Sequence, residues 1–292
     1  MSTSVSMIGV TGSTGELGGR VARRLSVRGL RQRLIVRDLG RAPQLAGVEV
    51  AQAAYEDRVA MKVALDGVQT LFLVSGWGAE RVKQHYSAID AAVAAGVERI
   101  VYTSFLGAAP MATFTHAREH YLTEQRIRAS GLEYTFLRPS FYLDRAARWF
   151  SAEGVIQGPA GNGTIAWVSR DDIADVAVEV LVGSGHGGAS YDITGDRALT
   201  LAEAAEEFSR VTGLPAAYRT ETIEEARASR MRYNPSEWDL EAWVSTYVAI
   251  ATGELSVVSH TVQALTGHAP QTFADYFRQH PESYEHVTAG RI

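Results

Sequence analysis

Val10-Thr11-Gly12-Ser13-Thr14-Gly15-Glu16-Leu17-Gly18 is the stretch on which the reading of this chain turns. It follows a β-rich run, Val5–Val10, and opens a helical pattern, Gly15–Arg28. The glycines are spaced G-x-x-G-x-x-G inside a βαβ-sized segment, the setting in which such a triplet has a mechanical meaning. Gly12 permits a tight turn, Gly15 lets the backbone approach a pyrophosphate, and Gly18 lets helix and strand pack closely. The helix N-terminus then offers N–H groups and the positive end of its dipole to phosphate oxygens. The expected ligand is a dinucleotide.

Outward from this turn, the first half of the chain alternates between two periods. β-rich runs occur at Val5–Val10, Arg33–Arg37, Val48–Gln52, Gln69–Ser75, Val97–Ser104 and Glu133–Arg138. Helical patterns fall at Gly15–Arg28, Tyr55–Leu65, Ala79–Ala95 and His116–Ser130, and Gly29, Gly67, Gly96 and Gly131 follow them as C-terminal stops. Thr-Leu-Phe-Leu-Val at Thr70–Val74 shows no polar alternation, the pattern of a strand covered on both faces. The expected fold is α/β: a doubly wound parallel Rossmann sheet over residues 1–150, with a smaller C-terminal α/β substrate lobe over 151–292 that partly returns to the sheet. In the second half, Gly154–Gly163 reads as a loop. Asp171–Val182 reads as a helix capped by Asp171 or Asp172, and Tyr191–Thr194 as a strand. Thr200–Thr212 reads as a helix with a Thr200/Glu203 capping box, and the chain from about Pro215 as short helices and loops.

Composition narrows the chemistry. The chain has 292 residues, a net charge of -5 and no cysteine, so disulfides, thiolate metal sites and a cysteine nucleophile are excluded. No basic run suggests nucleic acid, and no apolar stretch reaches the ~20 residues of a membrane helix. With no leader-like pattern before the first strand, a cytoplasmic location is expected. Of the 28 basic residues only Lys62 and Lys83 are lysines, so lysine chemistry has two candidates.

The end of the second strand discriminates between dinucleotides. An acidic residue there serves the ribose 2′-OH of NAD, and an arginine serves the 2′-phosphate of NADP. The sequence is Leu34-Ile35-Val36-Arg37-Asp38, with Arg41 one turn later. Arg37 points to NADP(H) in preference to NAD(H). Asp38 would serve an NAD ribose if the strand ended one residue later.

With these residues in hand, the chain resembles the NmrA-like atypical short-chain dehydrogenases, within them the branch of bacterial NAD(P)H:quinone oxidoreductases. The resemblance spans nearly the whole chain. It rests on Thr11 to Gly18, Val36-Arg37-Asp38, Gly96-Val97, Tyr102-Thr103-Ser104 and Ser130-Gly131-Leu132-Glu133-Tyr134-Thr135-Phe136-Leu137-Arg138-Pro139. Arg170-Asp171-Asp172-Ile173-Ala174 and Leu265-Thr266-Gly267-His268-Ala269-Pro270 extend it. It implies that Gly12, Ser13, Thr14, Gly15, Glu16 and Leu17 hold the pyrophosphate and Arg37 the 2′-phosphate. Ser75, Gly76 and Thr103 would line the nicotinamide-ribose channel, and Pro139 to Tyr142 would cover the nicotinamide. Where many relatives have an Asp beside the adenine, this chain has Ala54, leaving backbone groups or Tyr55 for that contact.

The usual proton-transfer machinery is missing. Short-chain dehydrogenases pair Tyr-x-x-x-Lys, the lysine lowering the tyrosine pKa. Arg58 and Ala79 stand four residues before the two lysines, and the nearest remnant, Tyr121 to Gln125, ends on glutamine. The lysine of the isoflavone-reductase type aligns with His120. The catalytic residue is therefore open, with His120 and Tyr121 as candidates. A quinone needs less help, because its protons can come from water and hydride transfer mainly requires alignment. Trp77, Phe141 and Tyr142 are the expected substrate contacts, with Trp149 and Trp167 in reserve. His116-Ala117-Arg118-Glu119-His120 matches H-x-x-E-H, but no third ligand motif follows and no metal is expected. The leading expectation is an NAD(P)H-dependent oxidoreductase acting on a small molecule, a quinone or similar electrophilic carbonyl. The alternative is a non-catalytic NADP(H)-sensing regulator, and a biosynthetic epimerase or reductase ranks third. A homodimer is compatible with either of the first two.

Overall fold

The computed structural model describes residues 6–288, so Val5 of the expected first strand and residues 289–292 of the expected second lobe lie outside it. In chain order the elements are β1 (Ile8–Thr11), α1 (Glu16–Val27), β2 (Gln32–Val36), β3 (Glu49–Gln52), α2 (Arg58–Ala64), β4 (Thr70–Leu73) and α3 (Arg81–Ala95). There follow β5 (Arg99–Thr103), α4 (Thr115–Ala129), β6 (Glu133–Pro139), α5 (Leu143–Ala146), β7 (Val155–Gly158), β8 (Thr164–Ile165) and α6 (Arg170–Val182). The chain continues through β9 (Ser190–Ile193), β10 (Leu199–Thr200), α7 (Leu201–Thr212), β11 (Ala217–Thr220), α8 (Ile223–Arg230), α9 (Glu237–Ala251), α10 (Thr261–Thr266) and α11 (Phe273–Gln279).

Seven strands form one sheet in the order β3-β2-β1-β4-β5-β6-β9, and every pair from β3 to β6 is parallel. This is a doubly wound Rossmann sheet. The direction of winding reverses between β1 and β4, whose residues pair as Ile8 with Thr70 and Val10 with Phe72. A crevice opens at the carboxyl ends of strands at such a reversal, and ligands of open α/β sheets bind there. All four residues of β4 are buried, as the absence of polar alternation requires.

The chain forms two compact units. The first takes the chain up to Phe105 together with Glu119–Arg138 and Arg170–Tyr191. The second takes Leu106–Arg118, Pro139–Ser169 and the chain from Asp192 onward. In the first unit, Leu71, Leu73, Ile89, Ile100, Tyr102 and Phe136 belong to one buried cluster. Helix α6 joins this unit by packing along α1. Arg20 meets Asp171 at 3.3 Å, Arg24 meets Asp171 at 2.8 Å and Asp175 at 2.7 Å, and Arg28 meets Glu179 at 2.5 Å. Both helices advance by four residues per pair, so the ladder sets one parallel register. Each pair is partly exposed and contributes little alone. Asp171 and Asp172 therefore lie inside the first turn of α6, which begins at Arg170, and do not cap it.

The second unit departs from expectation in two places. Gly154–Gly163 is not wholly a loop: Val155–Gly158 is strand β7, paired in parallel with β11. Gly158 is required there, because a Cβ would collide with the Tyr247 ring. The region after Pro215 holds a helix of 15 residues, α9, besides short ones. The Thr200/Glu203 capping box forms as expected.

Candidate active site

The glycine turn sits at the β1/β4 reversal. Gly12 adopts φ +63°, and a Cβ on it would lie 2.9 Å from Cβ of Val74, at the end of β4. Gly18 packs so closely that its Cβ would come within 2.8 Å of the Thr11 carbonyl oxygen and nearer still to that of Gly12. Gly15 is different: its added Cβ would meet only the Gly12 carbonyl, at 3.3 Å. It serves as N-cap of α1 with no side-chain cap, and Thr14, Gly15 and Glu16 form the exposed lip of the turn. Ser13 is 1% exposed, and its Oγ has no hydrogen-bond partner. A buried hydroxyl without a partner beside an uncapped helix N-terminus is the donor set a pyrophosphate satisfies. The turn fits a dinucleotide.

Arg37 directly follows β2 and is exposed, as is Arg41. Asp38 turns back on its own chain: its Oδ1 accepts the Gly40 N–H at 2.9 Å and caps the short 3-10 turn Leu39–Arg41. The acidic competitor for the ribose position is thus engaged locally, while the arginine is not so tied. Tyr55, the expected adenine neighbour, commits its hydroxyl elsewhere. It lies 2.7 Å from Thr11 Oγ1 and donates to the Val74 carbonyl at 2.6 Å, and burial pushes the phenol pKa up.

The segment after β4 is pinned amide by amide. Val74 N–H donates to Thr11 Oγ1 at 2.9 Å, Ser75 N–H to Thr103 Oγ1 at 2.8 Å, and Gly76 N–H to His85 Nε2 at 2.8 Å. Thr103 is 1% exposed, so it acts on this segment from beneath. The next residue, Trp77, is 69% exposed.

Beneath lies a buried polar seam that sequence reasoning missed. Arg81, 3% exposed, donates to His120 Nε2 at 2.7 Å. An arginine can only donate, so Nε2 accepts, and the Nδ1–H of the neutral imidazole donates to the Tyr102 hydroxyl at 2.8 Å. Both ring nitrogens of this catalytic candidate thus have internal partners. Burial pushes the Tyr102 phenol up. Glu124 is fully buried and accepts from Arg138 at 2.8 and 2.6 Å and from Ser104 Oγ at 2.6 Å. The other catalytic candidate, Tyr121, is half-buried on α4, and Gln125 is exposed.

In the second unit, Pro139 is buried, and its carbonyl accepts the Leu106 N–H at 2.9 Å. Phe141 packs against Phe114 at 5.2 Å and Trp149 at 5.8 Å, and Trp149 against Trp167 at 5.6 Å. Tyr142 bridges to Val168. His116 stacks on Trp238 with ring centroids 4.4 Å apart. Among the described residues no three His, Cys, Asp or Glu side chains are grouped to hold a metal ion, and no helix is long and apolar enough to cross a membrane.

Residues 4–262 match the NmrA-like family model. The chain belongs to the NmrA-like family. It is 36% identical over 288 residues, 95% of its length and 99% of the other's, to a (4-alkanoyl-5-oxo-2,5-dihydrofuran-3-yl)methyl phosphate reductase of Streptomyces griseus. It is 31% identical over 283 residues, 95% of this chain and 99% of the relative, to an NAD(P)H azoreductase of Xenophilus azovorans. The crystal structure of the NADPH-dependent quinone oxidoreductase QOR2 of Escherichia coli, complexed with NADPH, superposes with a TM-score of 0.87 at 34% identity, covering 94% of this chain and 99% of that one. As an NmrA-like protein with reductases as near full-length relatives, the chain is an oxidoreductase of this family.

Proposed function

We propose that the chain is an NADPH-dependent reductase of quinones and similar electrophilic carbonyls, working without a Tyr–Lys proton donor. The observation that carries this reading is the turn itself: an uncapped α1 N-terminus, an open Gly15 and the buried, unpartnered Ser13 hydroxyl at the strand-order reversal. In this reading Gly12 to Leu17 hold the pyrophosphate, and Ser75, Gly76 and Pro139 border the nicotinamide half. Arg37 pairs with the 2′-phosphate, favoured by the engagement of Asp38 with Gly40 N–H. The NADPH complex of the similar Escherichia coli oxidoreductase supports the same cofactor.

Bound NADPH supplies a hydride which, with one proton from water, takes a quinone to its hydroquinone. The protein's part is alignment. Trp77, Phe141 and Tyr142 are the side chains proposed to receive the flat substrate. Support for solvent as proton source comes from His120, whose ring nitrogens are engaged by Arg81 and Tyr102, and from Gln125 in the place of the lysine. The reading includes a cytoplasmic protein with a small-molecule substrate and is compatible with a homodimer.

The test is NADPH oxidation by the purified protein against a panel of quinones, with NADH in parallel. Turnover of quinones with NADPH preferred is expected. Tight NADPH binding with no quinone turned over would refute the reaction and leave a sensor of the cofactor in its place.

A further inference from the structure

Strand order places the two halves of a dinucleotide on opposite sides of the β1/β4 reversal. Arg37, at the end of β2, marks the adenosine side, so the segment after β4 marks the nicotinamide side. This inference rests on the NADPH reading above. Gly76 stands at the point where that segment leaves the sheet, and its amide is held by no backbone partner but by one side chain, His85 on α3.

We propose that His85 is a positioning residue for the nicotinamide half of the cofactor: its Nε2 fixes the Gly76 amide and thereby the backbone that borders the nicotinamide ribose. The geometry determines the tautomer. Nε2 accepts from Gly76, so Nδ1 carries the proton and donates to Thr123 Oγ1 on α4 at 3.0 Å. Thr123 Oγ1 in turn donates to the Glu119 carbonyl at 3.1 Å, which orients the chain of donors in one direction. The ring is fully buried, with Tyr55 at 6.1 Å and Tyr102 at 5.7 Å packed edge-on against it. A Cβ at Gly76 would rest 3.6 Å from His85 Nε2 and from the Tyr55 ring, so the backbone lies directly on this pair.

The charged groups near the ring keep it an acceptor. Burial, helped by the Arg81 guanidinium one turn before it on α3, holds the imidazole down to about 3. Glu119 faces Arg81 at 3.6 Å. The imidazole is therefore neutral at neutral pH, and a fixed acceptor is what a backbone amide needs. Thr11 and Thr103 hold the two preceding amides in the same way. His85 is the only one of the three holders that comes from a helix.

The test separates the halves of the cofactor with two probes and the full-length protein. NADPH carries both halves, whereas 2′,5′-ADP carries the adenosine and its phosphates but no nicotinamide. For His85→Leu, calorimetric titration should show NADPH binding weakened about tenfold, the consequence of leaving a buried amide without its acceptor. Binding of 2′,5′-ADP should stay within about twofold of wild type on the same footing. His85→Gln, whose amide oxygen can accept from Gly76, should restore most of the NADPH affinity. If the leucine variant does not fold, Thr123→Val gives the comparison in milder form, because it leaves the Nδ1–H that orients the ring without its acceptor, and NADPH but not 2′,5′-ADP binding should weaken a few-fold. Equal weakening of both probes overturns the proposal, since it marks general damage to the fold. So does unchanged NADPH binding in His85→Leu. A wild-type protein that binds neither probe overturns the NADPH reading itself, an outcome distinct from both.

Discussion

Alanine placed at Gly18 and at Gly15 should damage different properties of the same turn. At Gly18 the new Cβ would sit within 2.8 Å of the Thr11 carbonyl oxygen and closer to the backbone of Gly12. Neither neighbour can rotate away, so α1 must slide off the end of β1. Overpacking of this kind costs about 1–3 kcal/mol, less the ~0.5–1 kcal/mol that alanine regains over glycine within a helix. In a chain of this size each kcal/mol moves Tm by roughly 2–4 °C, so a fall of several degrees is expected. At Gly15 the backbone is extended, with φ -100° and ψ 179°, and the only near neighbour is the Gly12 oxygen at 3.3 Å. Tm should then hold within about 2 °C, a change of less than 1 kcal/mol. The methyl group, however, projects from the exposed lip where the phosphates must come against the backbone, and NADPH affinity should fall at least about tenfold. Thermal unfolding without ligand measures the first effect, and calorimetric titration well below both midpoints measures the second. A Gly15→Ala protein that binds NADPH as tightly as wild type refutes the placement of the pyrophosphate. A Gly18→Ala protein with an undiminished midpoint refutes the close-packing argument.

Three further outcomes follow from the site. Arg37→Ala should remove most of a preference for NADPH over NADH of about ten- to a hundredfold, the worth of a charge-assisted hydrogen bond, and paired titrations with both cofactors check it. Tyr121→Phe should change the rate of quinone reduction only a few-fold, whereas loss of a general acid would cost about 10²–10⁴; steady-state rates distinguish the two. Because His85 titrates at about 3 in the folded protein against the ordinary 6.5 of a solvated imidazole, the unfolded chain binds the extra proton between these values. Its stabilising effect is full above pH 6.5 and is lost as pH falls toward 3, at up to about 1.4 kcal/mol per unit. Denaturant unfolding of wild type should accordingly weaken more steeply with acid than that of His85→Gln over this window, and parallel curves would contradict it.

The glycine turn is legible in the sequence because its demands are local. Gly12 needs a positive φ and Gly18 needs the absence of a Cβ against β1, and both follow from a strand turning at once into a helix. The buried run of β4 is legible for the same reason. The place where α6 returns to the sheet unit is harder to read, although a signal is present: Arg20, Arg24 and Arg28 step by four, and so do Asp171, Asp175 and Glu179. Two complementary ladders of equal step say that two helices can lie side by side, but a charged face is also what any solvated helix shows. Strand β7 is hidden because its partner, β11, lies some 60 residues away and neither is long enough to announce itself.

The polar seam is the part of the molecule that no local pattern announces. Arg81, His85, His120 and Glu124 are charged or titratable types that are seldom fully buried, yet each is buried here. They can be buried because each finds a partner on a different element: Arg81 with His120, His85 with Thr123 and Gly76, Glu124 with Arg138 and Ser104. No periodicity encodes such pairing, since burial of a polar group is decided by whether partners are already in place. A backbone turn that grips phosphates therefore declares itself in a few consecutive residues. The proposed support for the nicotinamide half does not, because its hydrogen bonds are assembled from β1, β5, α3 and α4 and exist only once those elements have come together.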